Sequence, residues 1–390
     1  MNGLPKRTAL WAVALTAIAL ATACSSSKDT NGSGDTGTAA APIVPVAGCG
    51  KAAHTDPTNR SAGRPIATCD SGAPAPKPLA KHATITLTQG AKAEFAAPVL
   101  LGISLGEFEK ENLTVKLEIM PTPDAITQMG AGKVDAANGG PYATFTNAVL
   151  HGLDLKLVLA NYSPTHGGDA SVPQAGLWVR RDAFSDPQHP NLAELKGKTI
   201  ANTLGNATIS VYWMEAAMQK AGASLKDIKW SVVSPADGVT ALEQGAVPAA
   251  YLLDPFWTQA ASQPDKYALL AVQPPEPNGA ILYGPNLLEK HRDVGEAFAR
   301  AYIRTINTYL QPGYHKDPKV FDALAKAMSV PPSAITSSPE LRFEWEWPQG
   351  LTDDLQTAYI KLGTQTGAAL PESKLVDRSF YNRAVGYAGG

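Results

Sequence analysis

The sequence lacks an excess of charge of either sign. Its 390 residues include 33 lysines and arginines against 35 aspartates and glutamates, which gives a formal net charge of -2. It also lacks a basic run with interleaved aromatic residues, the pattern that would follow a phosphate backbone. We therefore expect no nucleic acid partner.

Cysteine and histidine are also scarce. Beyond Cys69 the chain has no cysteine, and its seven histidines are scattered between His54 and His315 without the spacing of metal ligands. The sequence therefore predicts no metal site and no cofactor, and it nominates no catalytic residue.

Long apolar runs are absent apart from one near the N-terminus. Lys6 and Arg7 precede an apolar stretch at residues 9–23, and Cys24 and a serine cluster follow it. The stretch is shorter than the ~20 residues that a membrane-spanning helix needs. The pattern resembles a bacterial lipoprotein signal over residues 1–24, with Cys24 lipidated and the protein anchored on the extracytoplasmic face of the cell membrane. Cleavage without lipidation and an uncleaved helix are the alternatives.

The next segment, residues 25–81, is rich in Ser, Gly, Thr, Ala and Pro and has few large apolar residues. This composition predicts a flexible tether. Because an exported protein enters an oxidising compartment, Cys49 and Cys69 are expected to form a disulfide bond. Two free thiols are the alternative.

A repeat organises the rest of the chain. Asp124 and Asp237, which lie 113 residues apart, each introduce a helix, a glycine and a short strand. Another strand, turn and helix precede each copy. Strands that alternate with helices predict parallel sheets of right-handed βαβ units, and hence two similar α/β lobes. Generic similarity between βαβ segments is the competing explanation.

The turns between strands and helices are expected to line a cleft. In open parallel sheets a ligand binds beyond the carboxyl ends of the strands, where the next helices offer free N–H groups. Glycines allow close approach, and aromatic rings form apolar walls. The predicted ligand-binding residues are Gln89, Gly90, Lys92, Glu94, Phe95, Gly140, Pro141, Tyr142, Thr144, Tyr162, Thr203, Asn206, Ala207, Thr208, Asp254, Phe256 and Trp257.

Several ordered motifs carry a family resemblance. Residues 106–113, 132–141, 195–200 and 254–256 resemble the sulfonate-, taurine-, nitrate- and thiamine-precursor-binding proteins of ABC importers. The resemblance implies a type II periplasmic-binding-protein fold, an α/β fold of two lobes with a ligand cleft between them. Lobe 1 would comprise residues 82–178 and 284–390, with the C-terminal helices packed on it, and lobe 2 residues 179–283. Hinge strands are expected near residues 176–181 and 280–285.

The resemblance also implies a function. A lipoprotein of this kind captures a small organic anion or zwitterion and delivers it to the permease and ATPase subunits of an ABC importer. Sulfonate, taurine, nitrate and aromatic carboxylate are the expected ligand classes, and a pyrimidine precursor of thiamine is the alternative.

Other classes of protein remain as rivals. One is a fold-related enzyme of pyrimidine or menaquinone precursor metabolism. Another is a surface signalling or adhesion module, in which Trp345 and Trp347 would form an exposed patch; we expect these two residues in the core or at the rim of the cleft instead. A hydrolase is disfavoured because Ser104, within the pattern Gly-X-Ser-X-Gly, lies in an apolar helical stretch. A nucleophilic serine of that pattern requires a strand and a sharp turn.

Overall fold

Two five-stranded sheets, each flanked by helices, form the body of the protein. The computed structural model describes residues 46–49, 52–53, 55–70, 72–202, 205–336 and 338–386. The predicted export signal, Cys24 and Thr203 lie outside these residues. Within them, no helix combines the length and the apolar character that crossing a membrane requires.

The strands, in chain order, are β1 (Ala52–Ala53), β2 (Thr68–Cys69), β3 (Ala83–Gln89), β4 (Leu113–Ile119), β5 (Ala136–Gly139), β6 (Lys156–Ala160), β7 (Tyr162–Pro164), β8 (Gly176–Arg180), β9 (Thr199–Asn202), β10 (Lys229–Val232), β11 (Ala249–Leu252), β12 (Tyr267–Val272), β13 (Ala280–Tyr283) and β14 (Leu341–Phe343).

The α-helices are α1 (Ala97–Ser104), α2 (Thr122–Gly130), α3 (Ala143–Leu150), α4 (Val211–Lys220), α5 (Pro235–Glu243), α6 (Trp257–Ala261), α7 (Arg292–Tyr309), α8 (Pro318–Met328), α9 (Pro332–Thr336), α10 (Leu351–Leu362), α11 (Glu372–Leu375) and α12 (Ser379–Val385). Short 3₁₀ turns cover Glu94–Ala96, Glu109–Glu111, Arg181–Ala183, Leu192–Leu195, Gly205–Ala207, Leu225–Asp227 and Tyr314–Lys316, and a π-helical turn covers Asn286–Lys290.

The two large sheets share one strand order. Lobe 1 is built on the sheet β4-β3-β5-β13-β6, and lobe 2 on the sheet β10-β9-β11-β8-β12. In each sheet the first three strands pair in parallel, whereas the fourth is antiparallel to both of its neighbours. The expectation of wholly parallel sheets is therefore wrong. The reversed strands, β8 and β13, follow the crossings between lobes and enter their sheets from the end where β11 and β5 finish.

The repeat extends to the pairing register of the strands. Gln89 of β3 pairs with Ile119 of β4, and Asn202 of β9 pairs with Val232 of β10, each 113 residues after its counterpart. The same offset relates the pairing of β3 with β5 to the pairing of β9 with β11. The repeat read from the sequence is thus a repeat of the structure.

The lobe boundaries differ from those expected. β8 belongs wholly to the lobe 2 sheet and β13 wholly to the lobe 1 sheet. The chain therefore crosses between the lobes in residues 165–175 and 273–279, before the segments predicted as hinges. The predicted hinge segments coincide with β8 and β13, which are buried apolar strands and belong to the lobe sheets. The chain crosses between the lobes in the polar, irregular segments that precede these strands.

The C-terminal helices do not all belong to lobe 1. α7 packs there against α1 and α12, but α10 contacts both α3 of lobe 1 and α4 of lobe 2. Nζ of Lys361 on α10 lies 2.9 Å from Oε1 of Glu215 on α4. Trp345 and Trp347, just before α10, are fully buried, so they form no exposed adhesive patch.

Much of the expected tether packs on lobe 1 instead, over residues 55–81. Nη2 of Arg64 lies 2.7 and 2.6 Å from the two carboxylate oxygens of Glu344, and both side chains are buried. The carbonyl groups of Pro74 and Lys77 accept hydrogen bonds from arginines of α7. An ion pair and hydrogen bonds to the backbone attach this segment to lobe 1. Its lack of large apolar residues therefore did not indicate a flexible tether.

A disulfide bond joins Cys49 and Cys69 at the start of this segment. The backbone N–H of Cys69 donates to Oδ1 of Asn307 on α7 at 3.3 Å, and Cys49 is fully buried. The disulfide therefore fastens the beginning of the ordered segment to the long helix of lobe 1.

Arg64→Ala is expected to lower the free energy of unfolding by about 3 kcal/mol, because it removes the cation that is hydrogen-bonded to the buried carboxylate of Glu344. Chemical denaturation followed by tryptophan fluorescence measures the change. The control is the double variant Arg64→Met, Glu344→Met, which removes both charges and is expected to recover most of the loss. Equal losses in the single and double variants would contradict the assignment.

Candidate ligand-binding cleft

A cavity of about 270 Å³ lies between the two lobes. Both lobes and the second crossover segment contribute to its wall, so a molecule inside it contacts both lobes. The volume is near the lower end of the range for small-molecule pockets. The cavity is lined by Gly90, Ala91, Phe95, Pro121, Thr122, Asn138, Gly139, Tyr142, Tyr162, Asn202, Thr208, Ile209, Ser210, Pro235, Tyr251, Leu253, Asn278 and Gly279.

The first turns of α2, α3, α4 and α5 lie at the cavity wall. Thr122 and Pro235 are the first residues of α2 and α5, and Tyr142 and Ser210 precede α3 and α4. Tyr142 and Ser210 do not cap their helices with a side-chain hydrogen bond. A helix start presents N–H groups and a partial positive charge, so their convergence favours an anionic or strongly accepting ligand group.

Aromatic rings form the apolar part of the wall. The ring centroids of Phe95 and Tyr162 are 6.2 Å apart, and Tyr142 and Tyr251 complete this side. The Asn278 side chain donates to the Tyr162 hydroxyl at 2.9 Å. Burial raises the pKa of Tyr142, Tyr162 and Tyr251, so these phenols keep their protons and can donate to a ligand.

Amide and hydroxyl groups supply the polar part of the wall. Nδ2 of Asn202 donates to the Gly205 carbonyl at 2.9 Å, whereas its buried Oδ1 has no hydrogen-bond partner among the described residues. The hydroxyls of Thr208 and Ser210 lie 2.5 Å apart. Asn138 accepts from Asn161 at 2.9 Å, which fixes its side chain at the end of β5. The cavity thus offers both donors and an unused acceptor.

Cationic side chains are missing from this wall, since none of its described residues is Lys or Arg. Lys92, expected to face an anion, is exposed and outside the lining. Glu94 is buried, where it accepts from the Tyr314 hydroxyl and lies 2.5 Å from Nε2 of His315. Any positive potential at the wall therefore comes from backbone dipoles.

Asp254 lies in a smaller chamber of about 30 Å³ that shares Tyr162 with the main cavity. Its Oδ1 accepts a hydrogen bond from Nε1 of Trp257 at 2.5 Å. Burial raises the pKa of Asp254 to about 6; the Trp257 hydrogen bond opposes this rise and the negative charge of Glu94 adds to it. Glu340 and His166 also line this chamber, and the Glu340 carboxylate accepts hydrogen bonds from the backbone of Gly313 and His315.

The predicted ligand-binding residues fall into two groups. Gly90, Phe95, Tyr142, Tyr162 and Thr208 line the main cavity, and Asp254 lines the adjoining chamber. For Ala207 the structure describes only the backbone, in a 3₁₀ turn. The predicted residues that lie outside both linings are Gln89, Lys92, Glu94, Gly140, Pro141, Thr144, Asn206, Phe256 and Trp257.

Three of the residues outside the lining pack within lobe 1 rather than facing the cleft. Gln89 is buried and donates to the Ala91 carbonyl at 3.0 Å. Gly140 lies against the ring of Tyr142, where an added Cβ would come within 2.2 Å of a ring carbon. The Pro141 carbonyl accepts from the Tyr359 hydroxyl at 3.2 Å. Gln89, Gly140 and Pro141 therefore make contacts within lobe 1, next to the helix starts, and do not line the cavity.

Several lining residues were not predicted. Thr122 and Pro235 are equivalent positions of the repeat, so the repeat itself carried a signal for them. Asn278 and Gly279 had no such signal, because the crossover segments lie outside the repeat. The other unpredicted lining residues are Ala91, Pro121, Asn138, Gly139, Asn202, Ile209, Ser210, Tyr251 and Leu253.

Residues 108–333 match the model of a protein family described as the periplasmic substrate-binding protein of a phosphonate ABC transporter. The chain belongs to this family. The predicted substrate-binding protein of an ABC importer is thereby confirmed, and the family implies a small-molecule ligand, an ABC permease as partner and an extracytoplasmic location. No curated protein matches the sequence.

Solved structures of similar fold agree with the two-lobed α/β architecture predicted for this substrate-binding protein. The alkanesulfonate-binding protein SsuA from Xanthomonas axonopodis pv. citri, bound to MOPS, is 17% identical with a TM-score of 0.59, covering 76% of this chain and 99% of that one. The nitrate-binding protein NrtA from Synechocystis PCC 6803 is 14% identical with a TM-score of 0.60, covering 79% and 89%. The aliphatic sulphonate-binding protein SsuA from Escherichia coli is 20% identical with a TM-score of 0.54, covering 76% and 92%.

Asp254→Asn is expected to stabilise the protein at pH 8 and to have no effect at pH 4. A carboxyl whose pKa rises on folding to about 6 contributes its full stability below about pH 4 and loses it as the pH rises through 6. Asparagine keeps an acceptor for Trp257 and carries no charge. Allowing for partial solvent exposure, we expect a gain of about 1 to 2 kcal/mol at pH 8.

Thermal unfolding at the two pH values measures this effect. The control is Asp124→Asn, which removes one negative charge from an exposed site in lobe 1. A stability gain for Asp254→Asn of the same size at pH 4 and pH 8 would show that its carboxyl is not responsible.

Proposed function

We propose that this substrate-binding protein captures a small organic anion or zwitterion and delivers it to the permease and ATPase subunits of an ABC importer. The observation that carries the proposal is the convergence of helix starts on a cavity whose described wall has no cationic side chain. Backbone N–H groups would bind the acidic group, and the aromatic wall would hold the organic body.

Capture depends on contact with both lobes. The hydroxyls of Thr208 and Ser210 belong to lobe 2, whereas Tyr142 and Phe95 belong to lobe 1. A ligand that touches both sets has a higher affinity for the closed arrangement, so binding favours closure of the cleft. The closed form is then the form that the permease receives.

A zwitterion suits the cleft better than a simple inorganic anion. Asp254 and Glu340 put acidic groups in the chamber next to the main cavity, on the far side of Tyr162. A ligand with an acidic end at the helix starts and an amine end toward Asp254 would satisfy both regions. Taurine and amino-substituted phosphonates have this bipolar chemistry, whereas nitrate would leave most of the aromatic wall without contact.

A pyrimidine precursor of thiamine is the second candidate. It is favoured by Oδ1 of Asn202, which has no hydrogen-bond partner among the described residues, and by the aromatic wall around Phe95 and Tyr162, which suit a flat heterocycle with amino donors. A fold-related enzyme is the weaker alternative, because no described residue of the main cavity wall is a cysteine, histidine or carboxylate.

Attachment to the membrane through a lipid on Cys24 is also part of the proposal. Cys24 follows the apolar stretch at residues 9–23, as the modified cysteine does in the lipoprotein signals that this pattern resembles.

Native mass spectrometry of freshly purified protein, followed by calorimetry with taurine, 2-aminoethylphosphonate, an alkanesulfonate, nitrate and an aminopyrimidine, tests the ligand class. We expect a zwitterion to bind most tightly and to be recovered unchanged. Tightest binding of the aminopyrimidine would replace the first candidate by the second, and turnover of any compound would overturn the carrier function.

The double variant Thr208→Ala, Ser210→Ala is expected to weaken binding of the best compound about tenfold, since it removes two hydroxyls from the start of α4. Calorimetry measures the affinity, and thermal unfolding checks the fold. Thr240→Ala, which removes an exposed hydroxyl from α5 of the same lobe, is the matched control. An unchanged affinity in the double variant would remove α4 from the site.

Cys24→Ser is expected to abolish lipid attachment, because serine has no thiol to be modified. Incorporation of a labelled fatty acid in cells, with fractionation of membrane and medium, measures the result. Equal labelling of the variant and the natural protein would refute lipidation at Cys24.

A further inference from the structure

A short N-terminal segment lies across the junction of the two lobes. We term residues 55–64 the strap. On one side it lies along residues 342–349, which comprise the end of β14 and the chain between β14 and α10. The Pro57 carbonyl accepts from the Gln349 backbone at 2.8 Å, and the Thr55 hydroxyl donates to Glu346 at 2.6 Å. Together with the buried pair of Arg64 and Glu344, these bonds fix the strap to lobe 1.

On its other side the strap reaches the second crossover segment through Arg60. The Nε of Arg60 pairs with Oε1 of Glu276, and its Nη1 lies 2.7 Å from Oδ2 of Asp354 on α10. The other carboxylate oxygen of Glu276 accepts a hydrogen bond from the hydroxyl of Tyr212 on α4. A continuous chain of contacts thus runs from lobe 1, through Arg60 and Glu276, to lobe 2.

Glu276 is a buried carboxylate in a segment that also contributes to the ligand cavity. Its backbone carbonyl accepts from the Gln273 side chain at 3.0 Å. Asn278 and Gly279, two and three residues later, line the cavity, and Asn278 holds the Tyr162 hydroxyl. A shift of Glu276 would therefore move part of the cavity wall.

The contacts of Glu276 with Arg60 and Tyr212, which we term the bridge, also connect lobe 2 to the strap. Tyr212 lies in the first turn of α4, two residues after Ser210 at the cavity wall. If α4 moves away from the strap when the lobes separate, the contacts of Tyr212 and Arg60 with one carboxylate cannot both persist. The bridge is available in the arrangement with the cavity enclosed by both lobes, and it stabilises that arrangement.

We propose that Arg60 is a positioning residue of the ligand cleft, which uses Glu276 to hold the second crossover segment and α4 in the closed arrangement. The proposal goes beyond the proposed function, because it concerns the balance between open and closed cleft whichever ligand is carried. It also gives the ordered N-terminal segment a role in binding rather than in attachment alone. Without Arg60, the buried Glu276 would lose its cation, and the closed arrangement would lose stability relative to the open one.

The experiment measures the distance between the lobes without ligand. Spin labels are placed at Ile119→Cys and Val232→Cys, equivalent positions of the repeat with exposed side chains, 53% and 64%, in a Cys24→Ser background of the full chain. Double electron–electron resonance then gives the distribution of distances across the cleft. Arg60→Ala is expected to raise the population at long distance, with a shift of about tenfold in the closing equilibrium.

Two variants test the chemistry of the bridge. Arg60→Lys keeps the positive charge and is expected to restore most of the closed population. Asp354→Asn removes only the contact with α10 and is expected to shift the equilibrium less than Arg60→Ala. The matched control is Arg180→Ala, since Arg180 is exposed to a similar degree, 25% against 23%, and pairs with a carboxylate on lobe 2 alone.

A purely structural role for Arg60 would give a different result. Thermal unfolding of each variant separates the two cases: a lower melting temperature with an unchanged distance distribution would overturn the proposal, as would a distribution for Arg180→Ala equal to that of Arg60→Ala. If Arg60→Ala does not fold, the closed populations of Arg60→Lys and Asp354→Asn test the proposal in its place. Because no ligand is present, failure of this test leaves the proposed ligand class untouched, and the reverse also holds.

Discussion

The exchange of one strand between the lobes is the constraint on which the rest of the structure depends. β8 and β13 each sit between two strands of the lobe that they join, and lobe 1 completes its sheet only after the chain has crossed to lobe 2 and returned as β13. Both crossings meet the sheets where the parallel strands end, next to the cavity. The ligand site, the hinge and the two cores are therefore structurally connected. A change in the crossover segments would alter the cavity wall.

Under the proposed function, recognition in this cleft would rely on the backbone rather than on charged side chains. Helix starts from both lobes meet at the cavity, while the charged side chains nearby are mostly carboxylates held by Trp257, Tyr314 or His315. Backbone dipoles are rigid and cannot turn away when the cleft opens, so their potential is retained in both states. Specificity then depends on the amides and phenols, whose hydrogen bonds fix their orientation.

The ordered N-terminal segment changes the meaning of a sequence that looks like a spacer. Its few apolar residues could not form a core, but Arg60 and Arg64 reach carboxylates that the C-terminal half of the chain buries. Such pairs join segments more than 200 residues apart in sequence. Composition alone does not reveal these ion pairs, because nothing near either residue in the sequence indicates that the two will be neighbours in the folded protein.

The sequence by itself determined the two α/β lobes, since the repeat of 113 residues is a local pattern of strands, caps and turns that physics imposes on each copy. It also indicated the helix starts at Gly90, Tyr142 and Thr208, because ligands of such sheets bind where strands end. Only the tertiary structure decided the reversed strands, the contributions of Asn278 and Tyr251 to the cavity, and the seclusion of Glu94 and Trp257 from it. These features depend on contacts between distant segments and on which face of a turn points inward, and neither is encoded in any single stretch of residues.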